Sequence, residues 1–499
     1  MKPPEIRKLL IANRGEIAVR IQRSAKEMGI RTVAVFSDVD RCAPHVLGSD
    51  EAYPLQGNSS RETYLDADKI IDIGRKTNCD AIHPGYGFLS ENADFAQATI
   101  SAGMIFVGPP PDAMRMMGSK THARNLMIKA KVPVVPGTPS YLKNYDEALE
   151  AARTIGFPIL LKAVHGGGGK GMRKVATEKE LQASFEQARS ESLAAFKSDE
   201  IFLEKYLVNP RHIEIQILAD AHGSCIFLGE RECSIQRRHQ KVIEECPSSK
   251  LSDDTKNAMG SAAIQAAKAC GYVNAGTIEF MVDESEAFYF LEMNTRLQVE
   301  HPTTELVYRL DLVKEQIKIA QGGKLSLTQR DIVPEGHAIE CRICAEDPYN
   351  GFLPSTGIIE EFTPSEGIGV RNDSGAHQGS EISLFYDSLL AKLITWGEDR
   401  EEARRRMIRA LSEYKISGVA TTIPLCAFVL SHPQFIEGKY NINFLEDFFN
   451  PNRLTPDHEI DMVASFVAAS LYHNRQNESI ILNSDGATVS AWKRGRLEE

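Results

Sequence analysis

The stretch that most constrains this chain runs from Thr277 to His301. Two apolar, β-prone runs, Thr277–Val282 and Ala287–Met293, flank the polar turn Asp283–Glu286, which is the signature of a β-hairpin. Folding it about its centre sets Glu279 opposite Glu292. Two carboxylates facing each other across a ladder repel, so such a pair needs compensation. A hard divalent cation held through oxygen ligands supplies it, Mg²⁺ carrying a nucleotide's phosphates being the usual case. Asn294, two residues past Glu292 on the same strand face, offers a third oxygen. Beyond it Arg296, Gln298 and Glu300 alternate onto one side. A cation, an amide and a carboxylate beside a metal–phosphate site can hold a small anion and take a proton from it. For Asp283, Glu284 and Glu286 an ordinary solvated turn suffices.

The rest of the chain reads as α/β and α+β. Lys8–Asn13 is a short apolar run ending in Arg14-Gly15-Glu16; a helical pattern from Ile17 to Met28 and a second strand, Arg31–Ser37, follow. That β-α-β opening predicts a doubly wound, Rossmann-like domain. The dinucleotide fingerprint is missing at its glycine turn, so a nicotinamide cofactor is not expected there. A helix near Ala67–Lys76 and a strand at Ile105–Val107 continue the pattern. Pro109–Pro111 reads as a boundary, followed by one helix from Pro111 to Lys131 that carries Lys120.

A smaller unit starts near Ser140, with helix Asp146–Ile155, strand Phe157–Ala163 bearing Lys162, and strand Met172–Ala176. Between the strands lie His165–Gly171, five of whose seven residues are glycine. They match neither a Rossmann turn, since no long helix opens there, nor a P-loop, since Gly171 follows Lys170. Strand–glycines–strand predicts a flap whose backbone N–H groups close over phosphates. Further on, Arg211–Ile217 alternates strictly, with His212, Glu214 and Gln216 on one face and isoleucines on the other; the polar face is expected at a cleft or in solvent. Gln236–Lys241 is a basic run. Asp399 is a plausible N-cap for a helix reaching Tyr414.

Composition excludes several classes. A net charge of −11 disfavours nucleic acid as a main partner. Nine irregularly spaced cysteines do not form a disulfide framework, and Cys341-x-x-Cys344 has no second pair to complete a zinc site. No apolar run has membrane-spanning length and no signal peptide opens the chain, so a cytoplasmic location is expected.

Two lysines on separate elements, a glycine flap and a carboxylate pair for Mg²⁺ suggest phosphoryl transfer by positioning and charge stabilisation. With Ile11–Ala18, His83–Asn92, Lys162 with Gly166–Gly171, Arg211–Glu214, Arg237–Val242, Glu292–His301, Arg342 with Ala345–Pro348, and Phe352–Gly357, the sequence resembles the biotin carboxylase subunits of biotin-dependent carboxylases, members of the ATP-grasp superfamily. The resemblance spans about residues 5–448. It implies a Rossmann-like domain over 1–116, a linker helix and ATP-grasp lid over 117–206, and an ATP-grasp core with a C-terminal β-rich subdomain over 207–448. The tail 449–499 is expected to hold a helix (Asp457–His473) and a hairpin about Asp485-Gly486, and to dock partner subunits.

The resemblance also implies roles. Lys120, Lys162, Gly168, Gly169, Glu204, Lys205, Tyr206, Leu207, His212, Gln236 and His239 match nucleotide-binding positions. Glu279, Glu292 and Asn294 match the Mg²⁺ (or Mn²⁺) ligands, with Glu279 and Glu292 also counted among the nucleotide-binding positions. Lys241, Arg296, Gln298 and Val299 match the bicarbonate site, Glu300 the base that deprotonates bicarbonate, and Arg342 the group that stabilises the biotin enolate. The implied reaction is ATP-dependent carboxylation of biotin through carboxyphosphate, the first half-reaction of an acyl-CoA or 2-oxo-acid carboxylase. No Ala/Val-Met-Lys-Met biotinylation sequence and no carboxyltransferase region occur, so the biotin carrier and the transferase are expected on other polypeptides, and this chain as a homodimer. Three rivals differ in what they require: another ATP-grasp ligase lacks Arg237–Lys241 joined to Arg296–Glu300, a Rossmann oxidoreductase binds NAD(H), and a nucleotide-binding scaffold does not turn over ATP.

Overall fold

Strand β1 (Lys8–Ile11) pairs in parallel with β2 (Arg31–Phe36) on one side and β4 (Ala81–His83) on the other; β3 (Glu51–Pro54) and β5 (Ile105–Phe106) extend the sheet to the order β3-β2-β1-β4-β5. The strand order reverses between β1 and β4, and in sheets of this kind ligands bind where the strands' carboxyl ends meet such a reversal. Here those ends carry Asn13–Glu16 and His83–Tyr86. Gly15, at φ +66°, makes the turn into helix Gly15–Glu27, a backbone region costly for residues with a Cβ. Asn13 ties the two ends together, its amide donating to the Pro84 and Tyr86 carbonyls at 2.7 Å each. The computed structural model describes residues 5–164, 172–196, 198–451 and 466–473.

The predicted helix over Pro111–Lys131 is in fact two, Pro111–Gly118 and Lys120–Lys129. Ser119 breaks it with extended backbone (φ −96°, ψ 112°) and caps the second helix by accepting from the His122 N–H. The break places Lys120 at the first position of a helix. The small unit is a three-stranded sheet ordered β7 (Met172–Val175), β6 (Ile159–Ala163), β8 (Ile201–Lys205), covered by helices Tyr145–Ile155 and Glu178–Phe196. Its core is Leu161, Val175, Leu181, Phe185 and Leu203. The glycine stretch 165–171, with Gly168 and Gly169, lies outside the described residues.

An eight-stranded antiparallel sheet forms the main body. In spatial order it runs β13 (Phe288–Asn294), β12 (Asn274–Val282), β9 (Arg211–Ala219), β10 (Cys225–Arg237), β11 (Gln240–Cys246), β14 (His337–Cys344), then strands Leu389–Gly397 and Val370–Ser374. One face is apolar. Ile213, Ile215, Ile217, Ile278 and Phe280 pack on helix Asp253–Ala269, and Ile339, Cys341 and Ile343 on helix Arg400–Glu413. A fully buried aliphatic or aromatic side chain of this kind contributes about 1.5–3 kcal/mol. Asp399 does cap its helix, accepting from the Glu402 N–H at 2.8 Å.

By internal contacts the chain divides into Met1–Phe449 and Asn450–Glu499. In the second unit residues 466–473 are helical; the rest of the expected tail helix, and the hairpin about Asp485-Gly486, lie outside the described residues. No described helix is long and apolar enough to cross a membrane.

Candidate active site

The other face of the large sheet is polar, and it is buried. Period-two alternation puts His212, Glu214 and Gln216 of β9 on it. The β12 register sets Thr277 across from Gln216 and Glu279 across from Glu214. On the far side of β12, Glu292 of β13 faces Glu279, as the hairpin pattern predicts. His212 is not solvated; it is 6% exposed, and its Nε2 lies 2.9 Å from Glu279. Burial lowers the His212 pKa, but the Glu279 carboxylate outweighs it and the net shift is upward.

So many buried charges hold only if each has a partner. Arg231 of β10 lies wholly beneath this face and all five of its N–H donors are used. Nε reaches Glu214, NH1 reaches Gln216 and Thr304 at 2.8 Å each, and NH2 reaches Gln298 at 2.6 Å and Thr277 at 3.2 Å. Lys241 of β11 projects over the same face and donates to three carboxylates: Glu214 at 2.6 Å, Glu279 at 3.1 Å and Glu300 at 2.6 Å. Against the penalty of burial, those carboxylates hold its ammonium well above the ordinary lysine range.

Residues 295–300 are not a strand but an irregular segment leading into helix His301–Tyr308. Arg296, Gln298 and Glu300 converge nonetheless. Gln298 donates to Glu279 at 2.9 Å and Glu214 at 3.1 Å. Arg296 donates to Asn294 Oδ1 at 2.9 Å and Glu91 at 3.1 Å. Glu300 accepts from Lys241 through one oxygen and from Arg342 through the other at 2.9 Å. Burial alone raises its pKa; Lys241, Arg342 and Arg231 outweigh that and hold it well below the usual carboxylate range. The Val299 carbonyl accepts from the buried Lys392 at 2.9 Å.

The proposed metal ligands form an all-oxygen set suited to a hard cation. Glu279 is held deprotonated, burial being outweighed by Lys241 and His212. Glu292 opens onto the cleft, yet the packed walls around it and the facing Glu279 push its carboxyl up, with Lys120 opposing. A carboxylate pair strained in this way fits a divalent ion between its members. Asn294 is turned to donate to Glu279 at 2.8 Å, with its carbonyl on Arg296.

On the small sheet Lys162 pairs with Glu204 at 2.5 Å, and Arg124 reaches the other Glu204 oxygen at 3.3 Å. The Lys205 ammonium is engaged elsewhere, by the Gly156 and Phe157 carbonyls, and Tyr206 stacks under Lys174 at 4.3 Å. Leu207 follows the end of β8. Gln236 faces Lys241 across the β10–β11 hairpin. His239 sits exposed at its tip, where a two-residue turn puts Arg238 and His239 at φ +48° and +67°. It joins none of the hydrogen bonds above.

A cavity of about 530 Å³ opens over Lys241, Arg296, Val299 and Arg342. Its opposite wall is the switch point of the parallel sheet, with Arg14, Glu16 and Tyr86. Sequence patterns miss several of these residues as site members. Arg231 and Lys392 come from distant segments and carry no local signal; Glu16, Tyr86 and Glu91 fall inside the stretches Ile11–Ala18 and His83–Asn92 without a role of their own there, whereas Glu214 is legible from the alternation of β9.

A small three-stranded sheet bearing a lysine, together with a large antiparallel sheet bearing a buried carboxylate face, is the arrangement of the ATP-grasp class. Three family models cover nearly the whole first unit: the biotin carboxylase N-terminal domain over residues 5–114, the ATP-binding domain of the carbamoyl-phosphate synthase L chain over 119–328, and the biotin carboxylase C-terminal domain over 340–447. Biotin carboxylase 1 of Bacillus subtilis is 51% identical over 444 residues, covering 89% of this chain and 99% of the relative. The mitochondrial propionyl-CoA carboxylase alpha chain of Sus scrofa is 48% identical over 93% of this chain and 64% of its own length. The biotin carboxylase domain of the Hydrogenobacter thermophilus 2-oxoglutarate carboxylase, solved as a dimer with MgADP, ADP and bicarbonate, superposes with a TM-score of 0.85 at 46% identity over 91% of this chain and all of that one. This chain belongs to the biotin carboxylase family, and with it to the ATP-dependent carboxylases.

Proposed function

We propose the following division of labour in the ATP-dependent carboxylation of biotin that defines the family. Lys120 and Lys162 neutralise the nucleotide's phosphates, and His212 orients the carboxylate that faces them. Glu279, Glu292 and Asn294 would hold Mg²⁺, which when bound would screen the phosphate charge. Arg296 and Lys241 bind bicarbonate, and Gln298 donates to it. Glu300 removes its proton, so that a bicarbonate oxygen attacks the γ-phosphate and gives carboxyphosphate and ADP. Carboxyphosphate then yields CO₂ and phosphate; phosphate takes the ureido proton of biotin, and the N1 anion captures CO₂. Arg342 faces the enolate oxygen. Biotin arrives through the cavity on a separate carrier protein, and the chain works as a homodimer beside a carboxyltransferase subunit.

The observation that carries this reading is the buried Glu300 clamped between Lys241 and Arg342, two residues that line the cavity together with Arg296. A base between two cations, one from each substrate side, suits a reaction that deprotonates one anion and stabilises another. ADP formation with Mg²⁺, ATP and bicarbonate tests it: free biotin should raise the rate severalfold, and a rate indifferent to biotin but raised by an amine or another carboxylate overturns the reading in favour of a different ATP-grasp ligase.

A further inference from the structure

Arg342 has a second carboxylate partner that the mechanism above leaves idle. Its Nε donates to Glu244 Oε1 at 2.6 Å, and its NH2 meets both Glu244 and Glu300. Glu244 lies on β11 directly across from Glu340 on β14, and neither side chain has exposed surface. Among the described residues Glu244 Oε2 and both Glu340 oxygens have no hydrogen-bond partner. Strand alternation puts Glu340 on the same face as Arg342, away from the apolar core under helix Arg400–Glu413.

Two carboxyls opposed in a sealed, low-dielectric space do not both ionise. The charged groups around the pair do not change that. Lys392 stands across from Arg342 on strand Leu389–Gly397, but its ammonium is engaged by the Val299 carbonyl at 2.9 Å and Glu16 at 3.1 Å. His301, buried beside Lys392, is held neutral by burial and by the cations Lys392, Arg20 and Arg371. Glu300 adds negative charge, and Tyr86 lies against Glu16. Burial drives the Glu340 carboxyl well above its ordinary range against the pull of Lys392, with Glu244 adding to the rise. Burial likewise pushes Glu244 up to about 7, against Arg342.

We propose that Glu340 is a positioning residue for Arg342: one proton shared between Glu340 and the free oxygen of Glu244 keeps the pair at a single negative charge. Glu244 then anchors the guanidinium plane while Arg342 retains positive charge to present to the enolate. When Glu300 accepts the proton of bicarbonate, Arg342 loses one carboxylate partner and stays held by the other, Glu244, which meets both its Nε and its NH2. This rests on the assignment of Arg342 to biotin made above.

The test combines infrared difference spectra of the unliganded protein with the pH profile of kcat/KM for free biotin, for wild type and Glu340→Gln. The expected result is a protonated-carboxyl band at neutral pH that shifts in D₂O and is missing in E340Q. In wild type, kcat/KM for biotin falls on the alkaline side with the same midpoint as the band. In E340Q, whose amide stays neutral and can still donate to Glu244, that alkaline fall disappears. An E340Q spectrum that keeps the band, or an E340Q profile that keeps the wild-type fall, overturns the proposal. If E340Q does not fold, the wild type alone decides, since separate midpoints for band and kcat/KM contradict it. A band lost in E340Q without any biotin-stimulated turnover in wild type leaves the shared proton standing and removes Arg342 from biotin.

Discussion

The Glu300 carboxylate accepts a hydrogen bond from the Lys241 ammonium at 2.6 Å. A base clamped in this way, and by Arg342 as well, is a poor proton acceptor at rest. It becomes a competent one only when an anion draws the cations away, so bicarbonate both supplies the proton and raises the affinity of Glu300 for it. Glu300→Gln should therefore bind ATP as wild type does in a nucleotide titration. Its bicarbonate-dependent ADP release should fall by about 10²–10⁴-fold, the usual contribution of a positioned base. Full turnover in this variant removes Glu300 from the mechanism.

Lys241, Gln298, Asn294 and His212 all approach Glu279, which on the proposed assignment joins the metal and bicarbonate sites. Glu279→Gln removes a charge from the oxygen set facing Glu292. The Mg²⁺ concentration giving half-maximal turnover should rise at least about tenfold. An unchanged Mg²⁺ dependence places the ion elsewhere.

Arg342→Ala deletes the donor at the cavity floor and leaves Glu244 and Glu300 without it. Loss of one donor to a developing oxyanion costs about 10²–10³-fold. That loss should appear in biotin-stimulated turnover, while the dissociation constant for ATP stays near wild type by calorimetry. An equal loss of ATP affinity contradicts the assignment of Arg342 to biotin.

Stability should carry a distinct acid limb from Glu245, which points away from the catalytic face. Burial opposes its ionisation, but Arg400 and His337, each 2.7 Å away, outweigh it and pull its pKa down to about 2. A depressed carboxylate stabilises the fold fully above its ordinary value near 4.5, and the contribution, about 3 kcal/mol for a buried group, is lost as pH falls toward 2. Glu245→Gln should lower the unfolding free energy at pH 7 by about 3–5 kcal/mol, as for a broken buried pair, and flatten the limb between pH 4.5 and 2. Urea unfolding across that range measures both; a variant as stable as wild type at pH 7 contradicts this.

Local patterns carried much of the fold. Alternation placed the hairpin and the Glu279–Glu292 register, and the helix Ala67–Lys76 has the predicted bounds. Where one residue decided the outcome, pattern failed: Ser119 splits a helix because its side chain is a better cap than an interior residue. The polar face of β9 is left open between a cleft and solvent because alternation distinguishes two faces without saying that both are covered. The site was legible as residue types but not as a network. Arg231 saturates its five donors from β9, β12 and residues 298 and 304, a convergence that only tertiary packing creates.

The central claim is that this site moves the carbon of bicarbonate onto biotin. Wild-type protein with Mg²⁺, ATP, free biotin and labelled bicarbonate tests it most directly, with carboxybiotin isolated under base. Label should appear in carboxybiotin in proportion to biotin-stimulated ADP release, with both abolished together in Glu300→Gln. ADP release without label in biotin, or labelling that persists in Glu300→Gln, contradicts it.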